Sequence, residues 1–349
     1  KSPITVFAAL FIIVFSLVFC INRVILMELS QIRMIYYIKE YYKKSKIIYD
    51  PINISLVSNS NIVQVVFVLG ESVRADHLGI NGYNRDTTPY LSGRKNIISF
   101  DKVFTTKTYT AASIPQILSN QSIYDNDSNN FHSLIDILNI ANIDTFWLGN
   151  QSSEKSYAPF IKASNHNQLI DLYSSDLNYK TEYDEILLPL FDNYFNKEQK
   201  QFIIFHMMGS HWFYESRYNN KFKIFTPVIQ NRFLMKNSKE QTINSYDNTI
   251  IYLDYFLENL IQDIEKQNSN TLLIYISDHG EALGEDGEFL HAQNENKYVQ
   301  NPALLFYYSD KFYRNNKQLV YDLKEKSNKF TTTDEIYPLI LKIFNIQEI

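Results

Sequence analysis

Thr271 to His291 reads TLLIYISDHGEALGEDGEFLH. The opening run, Thr271 to Ile276, is almost wholly apolar and rich in Ile and Leu. That is the pattern of a strand buried on both faces of a parallel sheet. It stops at Ser277-Asp278-His279-Gly280-Glu281, where two carboxylates, an imidazole and a glycine crowd five positions. In open α/β sheets, chemistry collects beyond the carboxyl ends of strands, where loops converge. Asp278 and His279 offer oxygen and nitrogen donors that suit zinc, and as sequence neighbours they reach one ion only from an irregular turn. A plainer reading makes Asp278 a helix N-cap with Glu281 as its capping-box partner. A second carboxylate at another strand end favours the metal.

That carboxylate is Glu71. Ile62 to Leu69 (IVQVVFVL) reads as the first buried strand and ends in Gly70-Glu71-Ser72-Val73-Arg74-Ala75-Asp76-His77. Ile97 to Phe104 is a second strand candidate. In Thr105 to Ser119, Pro115 is tolerated only near a helix start. A helix beginning near Ala111 puts Thr110 at its positive end, facing any anion bound there. Ser133 to Ala141 reads as a helix and Ile143 to Leu148 as a strand, followed by the polar loop Gly149 to Lys155. Gln201 to Phe205 is a further strand, ending in His206-Met207-Met208-Gly209-Ser210-His211. In Thr242 to Ile264 the residues Ile243, Tyr246, Ile250, Leu253, Leu257 and Ile261 recur at helical spacing. Pro302 to Tyr307 is a late strand and Glu335 to Phe344 a closing helix. Alternating strands and helices predict a doubly wound, mainly parallel α/β sheet flanked by helices.

The chain of 349 residues is 20% charged and 45% hydrophobic, ordinary values for a folded protein. Its net charge is −5, and no long basic block appears in the main body, so nucleic-acid binding has no electrostatic footprint. The single cysteine, Cys20, excludes an intrachain disulfide. Ile4 to Ile21 is an uncharged apolar run long enough to span a bilayer. Residues 1–24 are therefore expected to be a transmembrane helix. Residues 25–61 are expected to hold a basic, Tyr-rich juxtamembrane helix and a polar linker from Asp50 to Asn61. Residues 62–349 form the expected catalytic domain.

Glu71, Asp278, His279 and, on the following loop, His291 now stand with His206 and His211 near strand ends. Several such groups together favour a metal site over isolated satisfied histidines. Glu71, Asp278 and His279 give three protein ligands, and Thr110 is placed to fill a fourth position. A zinc ion there would lower the pKa of the threonine hydroxyl and make it a nucleophile.

Gly70-Glu71-Ser72-x-Arg74-Ala75-Asp76-His77 with Gly82-Tyr83-x-Arg85 resembles the opening of the membrane-bound phosphoethanolamine transferases, members of the alkaline phosphatase and sulfatase superfamily. Thr108-Tyr109-Thr110-Ala111-x-Ser113-x-Pro115 is similar to their nucleophile segment. Gly209-Ser210-His211, Ser277 to Glu285 and Leu290-His291 match later motifs in the same order. The resemblance implies an alkaline-phosphatase-like fold and Glu71, Thr110, Asp278 and His279 as the zinc set. It implies His211 and His291 near the transferred phosphate; both are candidates to assist proton transfer, and a second zinc held by Glu281, His211 and His291 is a further expectation. Gln151 and Lys155 fall where the family contacts substrate, with Gln151 replacing the usual Asn. The implied donor is phosphatidylethanolamine and the implied acceptor lipid A, a core sugar or another glycan. The implied setting is the bacterial inner membrane, with the catalytic domain facing the periplasm and further spans upstream; the chain is expected to be a monomer.

Three features depart from the family. Thr106 and Gln116 stand where many members have a disulfide, Trp212-Phe213 replaces Gly-Pro after His211, and one apolar span is present where several are usual. Ser113-Ile114-Pro115-Gln116-Ile117 lacks the arginine of a sulfatase maturation motif, which argues against sulfate-ester hydrolysis. Another phosphodiesterase, a glycerolphosphate transferase or an inactive tethered binding domain are the alternatives.

Overall fold

The computed structural model describes residues 53–56, 61–125, 131–170, 182–292 and 295–348. The expected transmembrane and juxtamembrane helices lie outside them. No helix among the described residues is long and apolar enough to cross a membrane.

Seven strands make the main sheet: β1 (Gln64–Gly70), β2 (Ile97–Phe100), β3 (Asp144–Gly149), β4 (His166–Leu169), β5 (Gln201–His206), β6 (Thr271–Ser277) and β7 (Leu304–Tyr308). Their order across the sheet is β2-β7-β6-β1-β5-β3-β4. All pairings from β6 to β4 are parallel, and β7 alone runs against its two neighbours. Every residue of β1, β5 and β6 is buried, as their unbroken apolar runs require. The expected doubly wound, mainly parallel sheet is thus present.

Two helices matter most for the site. The first, α1 (Thr110–Ile117), begins one residue before the expected position, with Tyr109 as N-cap. Pro115 lies deeper in it than anticipated, giving up the bond a helical N–H there makes to the Ala111 carbonyl. The second, α2 (Lys239–Gln267), opens on a capping box between Ser238 and Gln241 and closes on Asn268 in the left-handed region. Tyr246, Ile250, Leu253, Leu257 and Ile261 pack into one core with Val66, Val68, Phe205 and Tyr275 of the sheet. Each such aliphatic side chain contributes about 1.5–3 kcal/mol on burial.

Several boundaries differ from expectation. The second strand breaks after Phe100, and Val103–Phe104 instead pairs in parallel with Thr331–Thr332. Within the expected linker, Ile54–Leu56 pairs antiparallel with Ile346–Glu348. No helix follows Asp278: Ala282–Leu283 forms a short strand against Phe289–Leu290, so the helix-cap reading fails. The stretch Gly82 to Pro89 is structural. Tyr83 and Arg85 donate to the buried Asp247 of α2 at 3.0 and 2.8 Å, and His77 Nδ1 meets its other oxygen at 2.7 Å.

Tyr246 ties α2 to the loop after β1. Its hydroxyl donates to the Ser72 carbonyl at 2.7 Å and accepts from the Arg74 N–H at 2.9 Å. Tyr246→Phe keeps the ring but leaves both buried backbone groups unpaired. It should lower stability by about 1–3 kcal/mol per unpaired group. Denaturant titration checks this, and an unchanged midpoint would show that the loop holds itself.

Candidate active site

The pairing of β1 with β6 sets Gly70 opposite Ser277, so the next residues, Glu71 and Asp278, emerge side by side. Leu69 pairs with His206 on the other flank of β1, which brings the 207–211 loop alongside. Ser72, at φ 61°, turns the chain back over this end of the sheet. Its Oγ donates to Glu71 Oε1 at 2.7 Å and its N–H to Asp278 Oδ1 at 3.1 Å. Asp278 Oδ1 also accepts the His279 N–H at 2.8 Å, while Asp278 Oδ2 is buried with no hydrogen-bond partner.

His279 Nδ1 lies 2.8 Å from the Gly280 carbonyl, which places the ring proton on Nδ1 and a lone pair on Nε2. That Nε2 stands 3.3 Å from Asp278 Oδ2, 3.5 Å from Glu71 Oε1 and 3.4 Å from Thr110 Oγ1. Thr110 Oγ1 donates to Glu71 Oε2 at 2.9 Å from the first residue of α1. Donor atoms around a tetrahedral zinc, with bonds of about 2.0–2.1 Å, sit about 3.3 Å apart. The orphaned Asp278 Oδ2 and the bare His279 lone pair fit such an ion.

The electrostatics agree with that fit. Burial works to raise Glu71, yet the imidazoles of His279, His211 and His291 hold it well below the carboxylate range. Burial and the Glu71 charge push Asp278 far above that range. His279 falls to about 3, through burial and the neighbouring His291. A dication would oppose the forces that keep Asp278 protonated.

Around this centre stand two further histidines. His291 Nδ1 meets Glu281 Oε2 at 2.8 Å, and the other oxygen of Glu281 accepts from the Tyr214 hydroxyl at 2.9 Å. Burial opposes protonation of His291, but the Glu281 carboxylate lifts it to about 9. Its ring centroid is 4.4 Å from that of His279 and 6.0 Å from that of His211. Ligand atoms of Glu71, His279 and His291 all lie within 4.8 Å of one another. His211 Nδ1 is engaged by the Trp212 carbonyl at 2.7 Å, which leaves Nε2 for the site.

Thr110, Glu71, Asp278, His279 and His291 therefore converge, with His211 beside them. Gln151 is tied to the 207–211 loop: its Nε2 donates to the Met207 carbonyl at 2.6 Å. Lys155 is exposed in the same loop. His206, grouped with the ligand histidines on sequence, is a core residue instead. It is buried edge-on between Trp147 and Tyr157, and burial lowers it to about 4.

Sequence reasoning missed the supports. Asp184, fully buried, accepts the N–H groups of Met208 and Gly209 at 2.8 and 2.9 Å and the Asn150 amide at 2.9 Å. Ser277 Oγ joins the Val73 N–H to the His279 carbonyl. The signal that was available is Gly209, at φ 51°, where a Cβ would lie 2.8 Å from the Glu71 nitrogen.

The sulfatase family model matches residues 64–346, and the chain belongs to that family. Membership fixes the fold and not the ester that is cleaved. The relatives narrow the class. The chain is 31% identical over 300 residues to phosphatidylethanolamine transferase Mcr-2 of Escherichia coli, covering 81% of this chain and 54% of that protein. The soluble domain of lipooligosaccharide phosphoethanolamine transferase A from Neisseria meningitidis has a similar structure, with TM-score 0.75 at 29% identity, covering 86% of this chain and 93% of that one. The integral membrane form from the same organism gives 0.77 at 29% identity, covering 89% and 61%. The chain spans about half the length of the curated relatives it matches.

Gly209→Ala tests how closely the site is packed. The added methyl collides with the backbone of Glu71 and forces a strained φ. Bound metal and melting temperature should fall together. If both stay at wild-type values, the 207–211 loop does not position Glu71.

Proposed function

We propose that this chain transfers phosphoethanolamine from phosphatidylethanolamine to a cell-envelope acceptor, which is lipid A, a core sugar or another glycan. Transfer proceeds through a phosphorylated Thr110, in a catalytic domain on the periplasmic side of the bacterial inner membrane and anchored there as a monomer. The observation that carries this reading is Thr110 Oγ1, at a helix N-terminus and within 3.4 Å of both the Glu71 carboxylate and the bare His279 nitrogen. The similarity to enzymes named for phosphoethanolamine transfer supports it.

Glu71, Asp278, His279 and Thr110 would hold one zinc ion, which supplies positive charge for the phosphoryl oxygens and lowers the pKa of the threonine hydroxyl. The four side chains offer oxygen donors and one nitrogen, a set that favours zinc over magnesium. Glu281, His211 and His291 would hold a second zinc only in a state in which neither histidine carries a proton. In the structure Glu281 is already engaged by Tyr214 and His291.

Thr110 gives up its proton to solvent, and its oxygen attacks phosphorus. The bond from phosphorus to the diacylglycerol oxygen breaks on the opposite side. Diacylglycerol leaves as the alcohol, protonated by His291 or His211. The N-terminal N–H groups of α1 face the negative charge of the bound phosphoryl group. An acceptor hydroxyl then attacks the phosphothreonine, returns its proton to the same histidine, and Thr110 recovers its own. Lys155 would contribute an ammonium charge to the phosphate or acceptor. Gln151, tied to Met207, would act by fixing the loop beside it.

Thr110→Ala should abolish transfer, by at least about a thousandfold on the scale set by other lost catalytic groups. Fold and zinc content should stay largely unchanged. Wild-type protein given donor without acceptor should carry phosphoethanolamine on the peptide containing Thr110, read by mass spectrometry. A fully active Thr110→Ala protein, or a label on another residue, would overturn the mechanism.

A further inference from the structure

Between Arg217 and Lys239 the chain carries Arg217, Lys221, Lys223, Arg232, Lys236 and Lys239 and no acidic residue, within a molecule of net charge −5. The six cations are spread too thinly to read as a basic block. The fold lays them in one strap along α2, from Lys221 over Tyr255 to Lys239 at the helix start, with Lys223 paired to Glu215 at 2.8 Å. Asn248 accepts the N–H groups of Ile224 and Phe225, at 3.0 and 2.9 Å. Asn244 donates to the Pro227 carbonyl, Ser245 accepts the Ile229 N–H, and Gln241 donates to the Val228 carbonyl. Asn237 then cinches the final turn, bonding the Gln230 and Asn231 N–H groups and the Asn231 carbonyl. The strap therefore climbs α2 toward its N-terminus.

That end of α2 is the catalytic end of the sheet. Tyr246 holds Ser72 there, and Lys239 approaches Gly284 beside the Asp278 loop. Two large apolar side chains on the strap face solvent: Phe233 is 71% exposed and Ile224 60% exposed. Both are interleaved with cations. The Lys236 ammonium lies over the Phe233 ring, and Arg232 lies over Phe213, two residues from His211. Lys221, Arg232, Lys236 and Lys239 are exposed. Exposed aromatic and aliphatic tips among ammonium and guanidinium groups match the chemistry of a bilayer interface. The tips enter the acyl boundary and the cations meet lipid phosphates.

We propose that this strap is a second membrane contact, distinct from any anchor. It inserts Phe233 and Ile224 into an anionic lipid surface and holds the catalytic end of the sheet against the bilayer. The inference rests on the reading that the donor is a membrane lipid. An anionic bilayer is favoured over a protein partner because the exposed apolar tips, Phe233 and Ile224, stand apart in the sequence of the strap with cations beside each.

The test uses the full chain in vesicles of phosphatidylethanolamine and phosphatidylglycerol. Single cysteines replace Phe233, Ile224 or, as control, Tyr321 in a Cys20→Ser background, and each carries an environment-sensitive fluorophore. Spin-labelled lipid should quench positions 233 and 224 several-fold more than position 321. The difference should shrink when phosphatidylcholine replaces phosphatidylglycerol or when salt is raised. Equal quenching at all three positions, or none at 233 and 224, would overturn the proposal. A second arm keeps the reactions separable. The double substitution Phe233→Asp with Lys236→Glu should slow transfer from vesicle-borne donor several-fold and leave transfer from a short-chain, water-soluble donor at the wild-type rate. Equal losses with both donors, or no loss with either, would also overturn it. Quenching as expected in a wild-type protein that transfers no phosphoethanolamine would leave the strap in place and remove the proposed activity instead.

Discussion

The site depends on two carboxylates forced together out of water. The register of β1 against β6 leaves Glu71 and Asp278 at matched positions, and both lie within 3.5 Å of the same imidazole nitrogen. Two like charges about 4 Å apart repel by about 4 kcal/mol even at an effective dielectric of about 20. The protein alone answers this by keeping Asp278 protonated and Glu71 ionised. A divalent cation would answer it better, because it would turn both carboxylates and the His279 lone pair into ligands. The strained geometry of Ser72 follows from the same constraint, since its hydroxyl and N–H each bind one of the two carboxylates.

The surrounding structure serves to hold that pair still. Tyr246 of α2 grips the loop after β1 through two backbone groups. Asp184 binds the 207–211 loop from beneath, and Gly209 lets that loop close to within contact of Glu71. Glu281 and Tyr214 orient His291 in the same manner that the Gly280 carbonyl orients His279. Each of the three histidines thus has one ring nitrogen committed to the scaffold and one left for chemistry. This is the arrangement a site needs when its reacting atoms must be placed within about half an ångström.

The residues at the centre were legible because strands announce their own ends. Buried parallel strands read as apolar runs, so Glu71 and Asp278 stand out as the first charged residues beyond them. Thr110 was legible from the helix start. His206 misled for the same reason: it terminates an apolar run, but its side chain still points into the core between Trp147 and Tyr157. The supports were not legible, because they act over long sequence separations. Tyr246 and Ser72 are 174 positions apart, and Tyr214 and Glu281 are 67 apart. No local pattern encodes such pairs. The cations of the 217–239 segment escaped for a related reason, since only the strap along α2 lines them up on one element.

The central claim is that the phosphoryl group rests on Thr110 between donor and acceptor. The most direct measurement is the stereochemical course at phosphorus, using phosphatidylethanolamine made chiral by a heavy oxygen isotope at one non-bridging position. Each in-line displacement inverts the configuration. Two displacements, the first by Thr110 and the second by the acceptor, predict net retention in the transferred phosphoethanolamine. Net inversion would mean that the acceptor attacks the lipid directly, and it would contradict the account.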